Sequence, residues 1–562
     1  MTDATGPDKF DGPTPDNALR QADATSGPML AADGTPLKKS LSKALRMQKM
    51  RALMLIAPLL IFVLVTFIAP IADMLFRSVE NQIVSETLPQ TTEVLADWDG
   101  EGLPSDAAFE AAYYDVFLAA ERKEHTRLGT RLNYEQTGAS SLFRKSGRGL
   151  DDIGEVYQDQ FEDLDENWDE AVPWAELMGD PDWLSEERSW AESEEGRQPS
   201  FELREGISDI LPTAAREYAI FAEVQQDEEE NNLLDEEPWS AVHTALYQDL
   251  AAGDMSSYDG PRADMLKAAD ALVDSPDFET VSFRDGFEEV DEDWLQPDIW
   301  RTIKLYSPNY TSGYFLNSVD MQLTPDGAEA RPDNERIYML LFKRTLFMSL
   351  VITFSCILLG YPVAYILSNL PMRTANLLMI LVLLPFWTSL LVRTSAWKVM
   401  LQQQGVINDV LVWLGLVADD ARLTMINNQF GTIVAMTHIL LPFMILPMYS
   451  VMSTIPPSYV RAAKSLGATN WTTFWRVYFP QSIPGIGAGS ILVFILSIGY
   501  YITPEIVGGT TGTFISNRIA YHISSSLNWG LAAALGSILL AVVLLLYWAY
   551  DKIVGIDNVK LG

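Results

Sequence analysis

Six stretches of this chain are apolar and long enough to cross a lipid bilayer, and that fact constrains everything else it can fold into. At about 1.5 Å per helical residue, about 20 apolar residues cover roughly 30 Å of hydrocarbon. The stretches are residues 52–72, 345–367, 377–392, 430–452, 483–502 and 531–550. The first is interrupted only by Thr66 and two prolines, the third is shorter but extends through tolerable polar residues, and the fourth carries His438, Pro442 and Pro447. Prolines are no objection, because membrane helices tolerate them. One such run could be a buried helix of a large soluble protein, but six nearly charge-free runs do not fit that description. The first run starts too late, is too long and lacks the small-residue cleavage site of a signal peptide. The expected fold class is an all-α membrane protein with six transmembrane helices.

Charge divides the same chain into two materials. The whole has 562 residues and a formal net charge of −36. Residues 77–336 hold 62 acidic and 19 basic residues, a net of −43, so the remainder is mildly basic at +7. An acidic balance argues against nucleic-acid binding. Cys356 is the only cysteine, which excludes a disulfide scaffold within the chain.

Lysine and arginine near the spans set the orientation. Lys38, Lys39, Lys43, Arg46, Lys49 and Arg51 precede the first span; Arg373, then Arg461, Lys464 and Arg476, then Lys552 and Lys560 fall on the same side. Arg393, Lys398 and Arg422 dissent and are outnumbered. Both termini are expected to be cytoplasmic and the acidic block extracytoplasmic. The expected organisation is a disordered tail (1–36), a basic surface helix (37–51) anchored on anionic lipid, a first transmembrane helix (52–76), the acidic insertion (77–336), five further spans (337–552) and a short tail (553–562).

Cytoplasmic material is scarce, and only the segment 453–484 is large enough to carry a function. Pro456 and Pro457 suit a helix start. Tyr459, Ala463 and Leu466 recur on one helical face. Gly467 suits a helix C-terminus, Thr469 or Asn470 can cap a second short helix, and Pro480 is expected to close it. The product is a helical elbow whose small residues let another surface approach; the plainer alternative is a linker at the membrane surface.

Here the residues carry a resemblance. Arg461-Ala462-Ala463, three residues, Gly467, nine residues, then Val477-x-Phe479-Pro480 resembles the EAA motif of ABC importer permeases, with Arg461 where the family has glutamate. Leu383 to Trp397, Leu441 to Tyr449 and Ile502 to Gly509 resemble further signatures of the spermidine/putrescine branch, in its first-permease form. The resemblance covers nearly all of residues 50–76 and 337–552 and leaves the acidic block outside it. It implies a six-helix permease that pairs with a second permease subunit, two ATPase subunits beneath, and a periplasmic binding protein above, in a bacterial inner membrane. It implies that Arg461, Ala462, Ala463, Leu466, Gly467, Val477, Phe479 and Pro480 form the element that couples to the ATPase. ATP and magnesium would belong to that partner, since no Gly-x-x-x-x-Gly-Lys occurs here and this chain is not expected to be an enzyme or to bind a cofactor. Gly485-Ile-Gly-Ala-Gly489 opens a span rather than a nucleotide loop and reads as close helix packing.

Polar groups at membrane depth are candidates for the solute pathway: Trp387, Arg393, His438, Tyr500, Tyr501 and Glu505. A cationic amine would favour their aromatic faces and the carboxylate; amino acid derivatives, phosphonates or other anions remain the alternative solutes. The acidic block holds eight of the 15 tryptophans, so a folded, mostly helical domain is expected, with acidic loops such as Asp227-Glu-Glu-Glu230. It could dock the binding protein, attract cations, or carry its charge as a solvated surface. No metal-ligand spacing is present in it: His125 and His243 are isolated. A membrane receptor would need a cytoplasmic output module, and a membrane enzyme a polar cluster; neither is visible.

Overall fold

The computed structural model describes residues 37–193 and 196–554. The tail expected at 1–36 and Lys560 lie outside the described residues, as do the side chains of Lys38, Lys39 and Lys43. The chain forms two units, divided after Phe76.

The described part of the first unit is helical: Leu37–Val63, a wider π-helical turn at Leu64–Ile68, then Ala69–Arg77. In the apolar stretch Leu45–Arg77, no residue of the most apolar window is buried. The π turn has a cause. Pro70 has no N–H and its ring would collide with the carbonyl four residues back. Widening the turn, with the Ala69 N–H bonded to the Leu64 carbonyl, relieves the conflict.

The second unit begins with the acidic insertion, and its helices repeat. Phe161-Glu-Asp-Leu-Asp-Glu-Asn-Trp168 and Phe287-Glu-Glu-Val-Asp-Glu-Asp-Trp294 are near copies, and each is followed six residues later by a second tryptophan, Trp174 or Trp300. The structures match. Asp165 and Asp291 each cap a short 3-10 turn. The indole N–H of Trp174 donates to the Trp168 carbonyl at 3.0 Å, and that of Trp300 to the Trp294 carbonyl at 2.8 Å. Two helices that start with Leu-Pro, Pro89–Ala96 and Pro212–Glu223, are capped by carboxylates from the helices that follow them: Asp115 takes the Thr91 N–H at 2.7 Å and Asp249 the Ala214 N–H at 2.8 Å.

The two copies are interlocked. Phe109, on the first copy's helix Asp106–Glu121, packs on Trp300 and Phe287 of the second; His243, on the second copy's helix Ser240–Ala252, packs on Trp174 and Phe161 of the first. Tyr113 meets Phe283 just as Tyr247 meets Tyr157. Each half thus completes the other's core, where Trp168, Trp174, Trp294 and Trp300 are fully buried. Asp227 and Glu228, expected in a loop, instead lie in a π-helical turn that prolongs the helix Pro212–Glu223. One antiparallel hairpin, β1 (Met321–Thr324) with β2 (Gly327–Ala330), follows the second copy.

Four long apolar helices come after it: Tyr338–Asn369, Gln429–Ser453, Asn470–Gly499 and Trp529–Lys552. These are spans two, four, five and six. Span four is the most enclosed, with 56% of its apolar window buried. The glycines of span five explain its close approach to span four: a Cβ at Gly485 would lie 3.1 Å from Met448 Cα, and one at Gly489 2.7 Å from Met444 Sδ. A single straight third span is not what forms. Met372–Trp387 and Leu390–Met400 meet at 91°, because Pro385 opens a 3-10 turn and Thr388 and Ser389 are extended. Counting that bent pair as one gives six spans.

Candidate functional site: an exposed elbow and a polar cluster

The elbow between spans four and five starts with the helix Pro457–Ser465, with proline in its first turn, where a missing N–H costs nothing. Gly467 has a φ of +86°, the left-handed conformation that lets glycine end a helix. Thr469 then accepts the Thr472 N–H and starts the next helix. That helix does not stop at Pro480. It passes through a π-helical turn, Phe474–Tyr478, and continues as span five. The cause is the one seen at Pro70: the Phe479 N–H reaches back to the Phe474 carbonyl, and the wider turn makes room for the proline ring.

The elbow is bare. Arg461, Ala462, Gly467 and Pro480 are exposed, and Ala463, Val477 and Phe479 half-buried. Leu466 is 89% exposed and Trp471 72%, with Tyr459 also outward. Beneath them Phe474, Tyr478 and Phe479 pack on Tyr361 and Tyr365 of span two. The exposed apolar tip therefore stands on a rigid aromatic base.

The pathway candidates divide. Arg393, in the second arm of the bent span, acts electrostatically on both His438 of span four and Tyr500 at the end of span five. His438 accepts the Trp397 indole N–H at 3.1 Å. Among the described residues no hydrogen bond or ion pair engages the Arg393 guanidinium, and its Nε is buried. Asn517 ties the rest together, donating to the Glu505 carboxylate at 2.6 Å and to the Tyr501 carbonyl at 2.9 Å. Trp387 stands apart, exposed at the bend. Sequence reasoning missed Trp397, Asn517 and the buried Thr394–Thr503 hydroxyl pair that joins the bent arm to the helix Ile502–Val507. The available signal was a polar side chain in an apolar setting with no solvent to satisfy it. Among the described residues no cluster of three or more metal-ligating side chains occurs.

Comparison with known proteins now bears on this geometry. Residues 344–554 match the family described as the binding-protein-dependent transport system inner membrane component. The spermidine/putrescine transport system permease protein PotB of Escherichia coli (strain K12) is 33% identical over 220 residues, 39% of this chain and 79% of that protein. This chain belongs to the permease family of binding-protein-dependent ABC importers. The PotB of Haemophilus influenzae is 34% identical over the same length, covering 76% of that protein. The E. coli inner membrane ABC transporter permease protein YdcU is 32% identical over 263 residues, 45% of this chain and 82% of that one. A solved bacterial ABC transporter involved in alginate import is 20% identical with a TM-score of 0.35, covering 49% of this chain and 99% of that chain. The permease is thus a multi-pass inner-membrane component similar to spermidine/putrescine permeases, and the family match, which begins at residue 344, does not include the acidic insertion.

Proposed function

We propose that this permease is one of two membrane subunits of an ATP-driven importer, with the elbow on the cytoplasmic side as its contact to the ATPase. The observation that carries this is the exposed tip. Leu466 and Trp471 stand exposed, and Trp471 packs edge-on against Trp475, which in turn meets Phe474 of the aromatic base. Large apolar side chains presented in this way fit a partner groove. Both termini lie inside, and the insertion lies outside, where it docks the solute-binding protein. ATP-driven closure of the ATPase pair pushes on the elbow, and the spans alternate between outward and inward access. Gly467→Asp tests the coupling role, because a side chain at φ +86° strains the turn. The variant should insert and bind its partner permease but lose solute uptake; normal uptake would sink the assignment.

For the solute, the similarity to PotB supports a polyamine, whose ammonium groups suit the faces of Trp397, Tyr500 and Tyr501 and the Glu505 carboxylate. Ligand-binding calorimetry on the cognate binding protein decides this: tight binding of spermidine or putrescine is expected. One observation favours a second reading. The unpaired Arg393 beside His438 suits a solute with a carboxylate or other anionic group. Binding of such a solute, with no polyamine binding, would establish it.

A further inference from the structure

We propose that the acidic insertion and the outer ends of spans two and six move as one rigid body, held by a buried ionic clasp, so that a protein docked on the insertion acts directly on those spans. This rests on the importer reading and on the insertion lying outside.

Three sets of contacts carry it. The first is a paired stalk. The Asn81 N–H donates to the Asn309 carbonyl and the Thr311 N–H to the Val79 carbonyl, each at 2.8 Å. The buried Asn81 amide also donates to the carbonyls of Tyr306 at 2.6 Å and Pro308 at 3.1 Å. The second is the clasp. Arg131 donates from Nε to the Tyr314 hydroxyl at 2.8 Å and from Nη1 to Glu135 at 2.9 Å. The other Glu135 oxygen accepts from Arg331 Nη2 at 3.0 Å, and that nitrogen also reaches the Tyr134 carbonyl at 2.7 Å. The side chains of Arg131, Glu135 and Arg331 are 6%, 5% and 10% exposed. Arg131 and Glu135 lie within the first copy of the repeat, and Tyr314 and Arg331 in the closing segment of the insertion, next to the spans. Tyr314 packs against the start of span six so closely that a Cβ at Gly530 would lie 2.4 Å from its ring. Arg331 leads into span two.

The third set caps span two. Both Asp320 oxygens take its first free N–H groups, those of Ile337, Tyr338 and Met339, at 2.8–3.0 Å. The Tyr338 hydroxyl bonds His522 at 3.1 Å, and the His522 ring packs edge-on against Tyr134 of the insertion.

This is the opposite of a tether. A flexible linker is solvated and rich in glycine or serine. Here two guanidinium groups share one carboxylate out of water, and removing Glu135 leaves the buried Arg131 guanidinium uncompensated. The interlocked halves make the insertion itself stiff.

The test uses the full chain with its partner permease, ATPase and binding protein in proteoliposomes. Ser526, just before span six, bonds the His522 ring at 2.8 Å and faces the Tyr134 hydroxyl, so Tyr134→Cys with Ser526→Cys places thiols across the joint, to be bridged by a short crosslinker. Crosslinked protein should keep binding-protein-stimulated ATP hydrolysis and uptake within about twofold of the unlinked form, since a rigid joint loses nothing by being locked. Loss of uptake on crosslinking, with unlinked protein active, would overturn the proposal. Glu135→Gln with Arg331→Gln opens the clasp. It should cut stimulation by about tenfold, an ordinary inter-site coupling, with basal hydrolysis and insertion tryptophan fluorescence unchanged. Undiminished stimulation in that variant would equally overturn it. Failure of the importer reading would look different: no ATP hydrolysis by the unmodified complex.

Discussion

Position 243 shows how one side chain can set a condition on the insertion. The first copy of the repeat has Phe109 where the second has His243, and both sit against a tryptophan pair. Burial pushes the imidazole from its ordinary 6.5 down to about 4, against opposing hydrogen bonds to the Trp239 and Trp168 carbonyls and the Asp169 charge. The unfolded chain takes up this proton as pH falls below about 6.5, while the folded chain holds off until about 4. The stabilisation is therefore complete above 6.5 and lost as pH falls towards 4. Asp115 runs the other way, since burial raises it to about 6. Thermal unfolding followed by tryptophan fluorescence should fall on acidification, and His243→Phe should flatten the fall. An equally steep fall in that variant would show that the histidine is not responsible.

At the scale of elements, two prolines control two helices in the same way. Pro70 and Pro480 each follow a π-helical turn that absorbs the missing N–H. Pro480→Ala removes the need for the wide turn and should rewind the helix, rotating the elbow tip relative to span five. Transport should drop several-fold while membrane insertion is retained; unchanged uptake would mean the turn is incidental.

These elements also mark the limits of the sequence. Apolar length located the spans, and Gly467 marked the end of the first elbow helix. Apolarity carries no information about axis direction, so the bend at Pro385 was invisible. Pro480 read as a stop because a proline cannot continue an ordinary turn, whereas a wider turn can accommodate it. The cluster around Arg393 depends on four separate elements meeting, which residue type alone does not encode.

For the whole molecule, the repeat in the insertion is the feature most hidden by composition. The Phe-Glu-x-x-Asp-Glu-x-Trp pattern at 161 and 287 is plain once the two segments are aligned, but the acidic residues spread through the whole insertion mask its period. Its packing makes a prediction. Because each tryptophan pair seats on the other copy's helix, Trp174→Ala and Trp300→Ala should each cost about 3–5 kcal/mol and destabilise the entire insertion in one transition. Separate melting of two halves, read by calorimetry, would contradict the interlock.

The paired stalk has a consequence for how the chain can be cut and rejoined. Val79 and Thr311, like Asn81 and Asn309, are hydrogen-bonded neighbours although more than two hundred residues separate them along the chain. The insertion therefore leaves and rejoins the chain at one paired point, as a hairpin turn does. Replacing residues 83–307 by a short turn should leave a minimal permease that inserts and assembles, and the same pair of ends should accept an unrelated folded module whose termini lie equally close.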